Sequence, residues 1–144
     1  MNVLFFLTPK NEVIYEKPDS TMRQALERME HHRYSAIPLI DQEGKYVGTI
    51  TEGDLLWKLK NTPNLSFINT NKILLKDVPR HMDNVPVSVD SNIQDLVYSA
   101  INQNFVPVVD DSGIFIGIIK RSDIIHYCYE SLYGKKLKIA RGDR

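Results

Sequence analysis

Apolar positions recur in the same order twice along the chain. Behind Asp19 and Ser20, the residues Met22, Ala25, Leu26 and Met29 fall on one helical face. Behind Asp90 and Ser91, the residues Ile93, Leu96, Val97, Ala100 and Ile101 repeat that spacing. Either leading pair offers a side-chain oxygen suited to cap a helix. An apolar run of strand length follows, Ala36 to Ile40 in the first half and Val106 to Val109 in the second. The turns Asp41-Gln42-Glu43-Gly44 and Asp110-Asp111-Ser112-Gly113 put glycine where a left-handed backbone is needed. Second strands, Tyr46 to Ile50 and Phe115 to Ile119, close each hairpin. A further helix begins near Glu52 or Arg121, with Leu55, Leu56 and Leu59, or Ile124, Ile125 and Tyr129, expected to face inward.

The two halves are copies. Residues 35–56 align without gaps on residues 104–125, sharing Pro38/Pro107, Asp41/Asp110, Gly44/Gly113, Gly48/Gly117, Ile50/Ile119 and Asp54/Asp123. With opening strands at Val13-Ile14-Tyr15 and Pro86-Val87-Ser88-Val89, each copy is a β-α-β-β-α unit. A unit of about 60 residues has a thin core. The expected architecture is therefore α+β, two pseudo-symmetric units packed sheet to sheet. The first unit spans 8–61 and the second 76–133, with a polar linker at 62–75 and a basic tail at 134–144.

Of the 144 residues, 42% are hydrophobic and 25% charged, and 18 Lys+Arg balance 18 Asp+Glu. That neutrality argues against a dedicated nucleic-acid binder. The single cysteine, Cys128, excludes an internal disulfide framework and fits a reducing compartment. No apolar run approaches the ~20 residues a membrane span needs. The apolar start lacks a basic region and a cleavage site, so no signal peptide is expected, and a cytoplasmic location is.

The string with most chemistry is Gly48-Thr49-Ile50-Thr51-Glu52-Gly53-Asp54. A strand ends at Ile50 and a helix starts near Glu52, so the Thr51 hydroxyl and the first helical N–H groups suit an anionic oxygen. Asp54, one turn in, repels such an anion but suits two neighbouring sugar hydroxyls. The competing explanation is a helix cap beside a surface carboxylate.

With Ala25-Leu26-Met29, Ala36-Ile37-Pro38-Leu39-Ile40-Asp41, Gly44 and the Gly48 to Asp54 string, the repeat resembles a cystathionine-beta-synthase-type (CBS) domain. The second copy matches through Val106-Pro107-Val108-Val109-Asp110, Gly113 and Gly117-Ile118-Ile119-Lys120-Arg121-Ser122-Asp123. The pair is similar to a stand-alone Bateman module, over roughly residues 8–130, with no enzyme or transporter domain in the sequence. The resemblance implies a regulatory sensor of adenosine ligands: AMP, ADP, ATP, S-adenosylmethionine or cyclic di-AMP. It also implies a homodimer that signals to an effector protein, and no cofactor beyond the regulatory adenine nucleotide. No Ser, Cys or Thr nucleophile has a base fixed by a recognisable motif, so no catalysis is expected. For the first site it implies adenine against Ile14, Tyr34, Ser35, Ala36, Ile37 and Pro38, with Thr51 on phosphate and Asp54 on ribose.

The second copy departs from the pattern, because Lys120 replaces the usual Ser or Thr. Lys120 and Arg121 bring two positive charges to a helix N-terminus, which the dipole disfavours unless an anion is bound. One possibility is a second site with Val85, Phe105, Pro107 and Asp123. The other is that Lys120 and Arg121 reach the phosphates of a ligand seated in the first copy. Some family members bind cyclic di-AMP at a comparable Arg. Arg80 and His81 are further candidates to line a central cleft.

His31, His32, His81, His126 and Cys128 match no metal-ligand spacing, so no metal is expected. Trp57 is expected in core or dimer packing, and the sequence around Tyr127, Tyr129, Leu132 and Tyr133 could form a dimer seam. The rival functions are a constitutive dimerising scaffold with a vestigial pocket and, ranked below it, an enzyme acting on nucleotides.

Overall fold

The computed structural model describes residues 2–81 and 83–134; the basic tail from 135 onward lies outside them. Each half is built as a hairpin between two helices. In the first, α1 (Met22–His32) leads to β2 (Ala36–Ile40), β3 (Tyr46–Thr51) and α2 (Glu52–Asn61). In the second, β4 (Val87–Ser88) precedes α3 (Ile93–Ala100), β5 (Phe105–Val109), β6 (Phe115–Lys120) and α4 (Arg121–Tyr133). Gly44 and Gly113 turn the hairpins with φ of +84° and +82°, the left-handed backbone expected of them. The helix caps fall one residue later than expected. Thr21 caps α1 in a capping box with Gln24, and Asn92 caps α3 by accepting from the Asp95 N–H.

The expected opening strand at Val13-Ile14-Tyr15 does not form. Its place is taken by one parallel bridge, Glu16 to Leu39, matching the pairing of Val87 with Val108 in the second half. Val13 instead joins Ile40 and Phe115 in a small core between the halves. The earlier strand, β1 (Thr8–Pro9), crosses over and pairs antiparallel with β6 of the other unit. Val3, ahead of it, is fully buried in the second core with Val87, Leu96, Val106, Val108, Ile119 and Ile124.

The segment expected as a polar linker is packed rather than loose. Leu65 and Ile73 lie against the first core, and Leu75 is fully buried within it beside Met22, Ile37, Leu39, Ile50 and Leu55. Thr70 is buried too, its hydroxyl donating to the Phe67 carbonyl and accepting from Arg23 Nε. The backbone agrees: Met22 N donates to Ile73 O, and Leu75 N to Ser20 O.

A near-twofold axis relates the halves. Lys45 bridges Ile114, its repeat equivalent, while Phe115 N donates to Gly44 O. The equivalent rings of Tyr46 and Phe115 stack with centroids 6.5 Å apart. The helices that follow the hairpins turn one apolar row outward. Leu56 and Ile125, expected inside, are 55% and 58% exposed, and Trp57 is exposed beside Leu56. Only one face of α2 and α4 meets the sheets, where Leu55 and Ile124 already fill the cores.

Candidate functional site

The first copy's motif closes on itself. Thr51 caps α2, its Oγ1 accepting from Asp54 N at 3.1 Å while Asp54 Oδ2 accepts from Thr51 N at 3.0 Å. The other Asp54 oxygen, Oδ1, accepts from His81 N at 3.0 Å. Asp54 is 3% exposed. Each carboxylate oxygen already has a backbone donor, so Asp54 is engaged here in the cap and in a tether to the second repeat. A Thr-x-x-Asp string serves equally as a capping box, and here that use prevails.

The cover over this crevice comes from the second repeat. Arg80 Nε contacts Asp83 Oδ1 at 2.7 Å, and Arg80 also donates to the Val47 carbonyl at 3.3 Å. Asp83 Oδ1 accepts from Thr49 N at 3.1 Å. The pair lies flat on Gly48: a Cβ there would come within 2.5 Å of Arg80 Nε and 2.7 Å of Asp83 Oδ1. Beside it, Tyr46 OH accepts from Asn84 N at 3.1 Å and shares a 2.6 Å hydrogen bond with Thr49 Oγ1. Burial pushes the Tyr46 phenol up to about 12.

Other first-copy residues divide in two. Ser35 and Ala36 do lie by the α2 N-terminus, since Ser35 O accepts from Glu52 N and Ala36 pairs with Thr51. Tyr34 stacks on the His32 ring, 5.5 Å away. Ile37, however, is fully buried in the first core, and Ile14 packs against that core. Pro38 is buried in the sheet, its carbonyl accepting from Glu16 N. Ile37 and Pro38 are therefore buried, and Ile14 is partly buried against the same core.

The second copy is open at the equivalent place. Asp123 is half-buried, and its carboxylate has no hydrogen bond or ion pair among the described residues. It lines a cavity of about 380 Å³ together with Thr8, Leu7, Phe5 and Phe6 from the chain's start. His126, Tyr127 and Glu130, on the same face of α4, complete the lining. Phe6 and Tyr127 meet edge to face at 5.2 Å, and His126 Nε2 lies 3.9 Å from Glu130 Oε1. Lys120 is exposed and makes no side-chain cap to α4. Arg121 is held within its own unit, Nε donating to Gln103 O at 2.7 Å. That bond holds Arg121 Nε within the second copy, while Lys120 is untethered by any side-chain cap.

Val85, Phe105 and Pro107 lie outside this cavity. Gln103 ties down Val85 and Phe105 instead: its Oε1 accepts from Val85 N, and its Nε2 donates to the carbonyls of Val85 and Phe105. The leading segments thus exchange partners. Residues 7–9 overlie Gly117, where a Cβ would meet Thr8 O at 2.2 Å, while Arg80 and Asp83 overlie Gly48. Each copy's own leading segment still pairs with its Pro-containing strand, Glu16 with Leu39 and Val87 with Val108, so the crossing adds a contact at the motif strand. The residues missed were Phe5 to Thr8, which only the crossing reveals, and His126, Tyr127 and Glu130. The latter stand at i+3, i+4 and i+7 from Asp123, a visible helical face.

A second cavity of about 320 Å³ lies away from both motifs, by Tyr15, Lys17 and Ser20. There Glu16 accepts from Ser20 Oγ at 3.0 Å and pairs with Arg28 Nε at 2.8 Å. Among the described residues no group of three or more His, Cys, Asp or Glu side chains is placed to hold a metal. No described helix is long and apolar enough to cross a membrane.

Against known proteins, a family model described as CBS domain matches residues 7–61 and again residues 75–130. The CBS domain-containing protein CBSX1 of Arabidopsis thaliana, chloroplastic, is 27% identical over 146 residues. That alignment covers 83% of this chain and 61% of CBSX1, so the chain spans about three fifths of that relative's length. The crystal structure of CbpB in complex with c-di-AMP superposes with a TM-score of 0.80 at 21% identity, covering 93% of this chain and 88% of that one. The structure of CBSX2 in complex with AMP gives 0.73 at 24% identity, covering 91% and 98%.

Proposed function

Since the chain belongs to the CBS domain family, we propose that it is a non-enzymatic, adenine-nucleotide-binding regulatory module whose ligand enters the cavity beside Asp123. The observation that carries this reading is the free, half-buried carboxylate facing an aromatic-lined hollow of about 380 Å³. A hollow of that size suits a mononucleotide. Phe5, Phe6 and Tyr127 offer ring surface for a base, and Asp123 offers acceptors for two ribose hydroxyls. Lys120 and Arg121 supply positive charge at the start of α4, on the side where a phosphate would add the compensating anion. AMP in CBSX2 and c-di-AMP in CbpB set the first ligands to try, with ADP and ATP beside them.

A ligand that binds only the native state raises the melting temperature. AMP or c-di-AMP is expected to do so, and the Asp123→Ala variant is expected to lose about 1.5–3 kcal/mol of affinity by titration calorimetry. Full affinity in that variant removes Asp123 from the site. A flat thermal-shift panel instead favours the second reading, a constitutive scaffold, which the closed first motif and the uncapped Lys120 support.

The module's output is a change in how its halves are arranged, by differential affinity of the ligand for one arrangement, read by an effector protein. Its own partner is a second copy. Leu56 and Ile125, repeat equivalents, carry exposed apolar side chains on the outer faces of α2 and α4, continued by Leu132 and Tyr133. The Ile125→Glu variant is expected to elute as a monomer where the unaltered chain elutes as a dimer, measured by light scattering. The location consistent with this role and with one reduced cysteine is the cytoplasm.

A further inference from the structure

We infer that the chain takes one nucleotide rather than two, because the Arg80–Asp83 pair latches the first crevice shut. This inference rests on the proposed nucleotide reading and assigns it a stoichiometry. The repeats carry the same glycine and carboxylate at both motifs, so symmetry alone offers two equivalent sites. The contacts break that symmetry.

At the first motif the Thr51 and Asp54 side chains and the Thr49 N–H all have protein partners. The Thr51 hydroxyl accepts from Asp54 N, the two Asp54 oxygens accept from Thr51 N and His81 N, and Thr49 N donates to Asp83. Asp83 sets a carboxylate against Thr49 N, on the strand that leads into the motif, and Arg80 neutralises it at 2.7 Å. At the second motif the overlying segment is Leu7-Thr8-Pro9, which carries no such charged pair and leaves Asp123 unengaged. The latch depends on Gly48, whose missing side chain lets Arg80 and Asp83 lie against the strand.

The latch is a set of replaceable hydrogen bonds at a partly exposed surface, the Arg80 and Asp83 side chains being 26% and 42% accessible. Removing both side chains frees Thr49 N and the Val47 carbonyl, so His81 N loses the contacts that hold it beside Asp54 and can give up that carboxylate oxygen to a ligand, converting a closed motif into a second site. Titration calorimetry of the full chain with AMP, with concentrations set by amino-acid analysis, reads this directly. The expected result is one equivalent per chain, rising to two in Arg80→Ala/Asp83→Ala, and returning to one when Asp54→Asn is added. Asp54→Asn alone is expected to leave the binding curve in place while lowering the melting temperature, since it loses only a cap and a tether. Two equivalents in the unaltered chain, a double variant that stays at one, or loss of binding in Asp54→Asn each overturns the latch while leaving nucleotide binding intact. Should the double variant fail to fold, the Asp54→Asn titration decides alone. Absence of binding in the unaltered chain defeats the functional reading itself, and the latch with it.

Discussion

Gly117→Val is expected to be among the most damaging single substitutions in the chain. A Cβ at this position meets Thr8 O at 2.2 Å, Leu7 Cδ1 at 2.8 Å and Pro9 Cα at 3.1 Å. Two of those atoms belong to backbone already committed to the β1–β6 pairing, so the chain must move rather than a rotamer. Overpacking of this kind costs about 1–3 kcal/mol. Displacing residues 7–9 also drags on Val3, which is fully buried in the second core, so the total is expected at or above the top of that range. A urea melt reads the loss, and calorimetry with AMP should show weakened binding, because Leu7 and Thr8 line the Asp123 cavity. The control is Gly53→Ala in α2. There the added carbon approaches nothing nearer than 3.7 Å, and stability should hold or rise slightly. Equal destabilisation by the two would show that the strap's approach to Gly117 carries no special weight.

The second large effect is expected at Leu75→Ala. Leu75 lies in the stretch that composition marks as a connector, yet it is fully buried against Met22, Ile37 and Leu55. Truncating a buried leucine costs about 2–5 kcal/mol, the spread reflecting how far the cavity collapses. Burial in a wall shared by α1, the sheet and a 3-10 turn leaves little room for collapse, so the middle of the range or above is expected. For a chain of this size that corresponds to about 7–20 °C in melting temperature. The exposed neighbour Lys76→Ala, whose ion pair with Asp19 lies at the surface, should move it far less. A Leu75 variant that melts like the unaltered chain would mean the segment is a connector after all.

The duplication and both hairpins were legible because their signals are local. Gly44 and Gly113 need a left-handed backbone, and Ile37, Leu39, Ile50 and their equivalents form short apolar runs. The crossing of residues 7–9 was not legible. A two-residue strand carries no period, and the pattern of one strand does not name its partner. The packed connector escaped for a related reason: Leu65, Ile73 and Leu75 are spaced by 3-10 turns and bends, which leave no helical or strand periodicity.

Chemistry was harder to read than architecture. Thr51 and Asp54 stand at a spacing that serves a helix cap or a ligand equally well, and the sequence left both open. In the fold the pair forms the cap, and His81 N, 27 residues away, takes the remaining carboxylate oxygen. Asp123 has the same spacing from Lys120, but an ammonium cannot accept from the helix, so no reciprocal cap forms and the carboxylate is left to the cavity. The substitution that weakened the second motif as a pattern is the one that leaves its acid available.

The exchange of leading segments also bears on how such a chain can be inherited. A cut after residue 61 would take Leu75 and Val78 from the first core, and a cut before residue 10 would take Val3, Phe6 and Leu7 from the second. Neither half is a transplantable cassette. Recombination that preserves both interiors has to carry the doublet whole, together with the few residues that precede it, so the heritable piece is larger than the repeat that generated it.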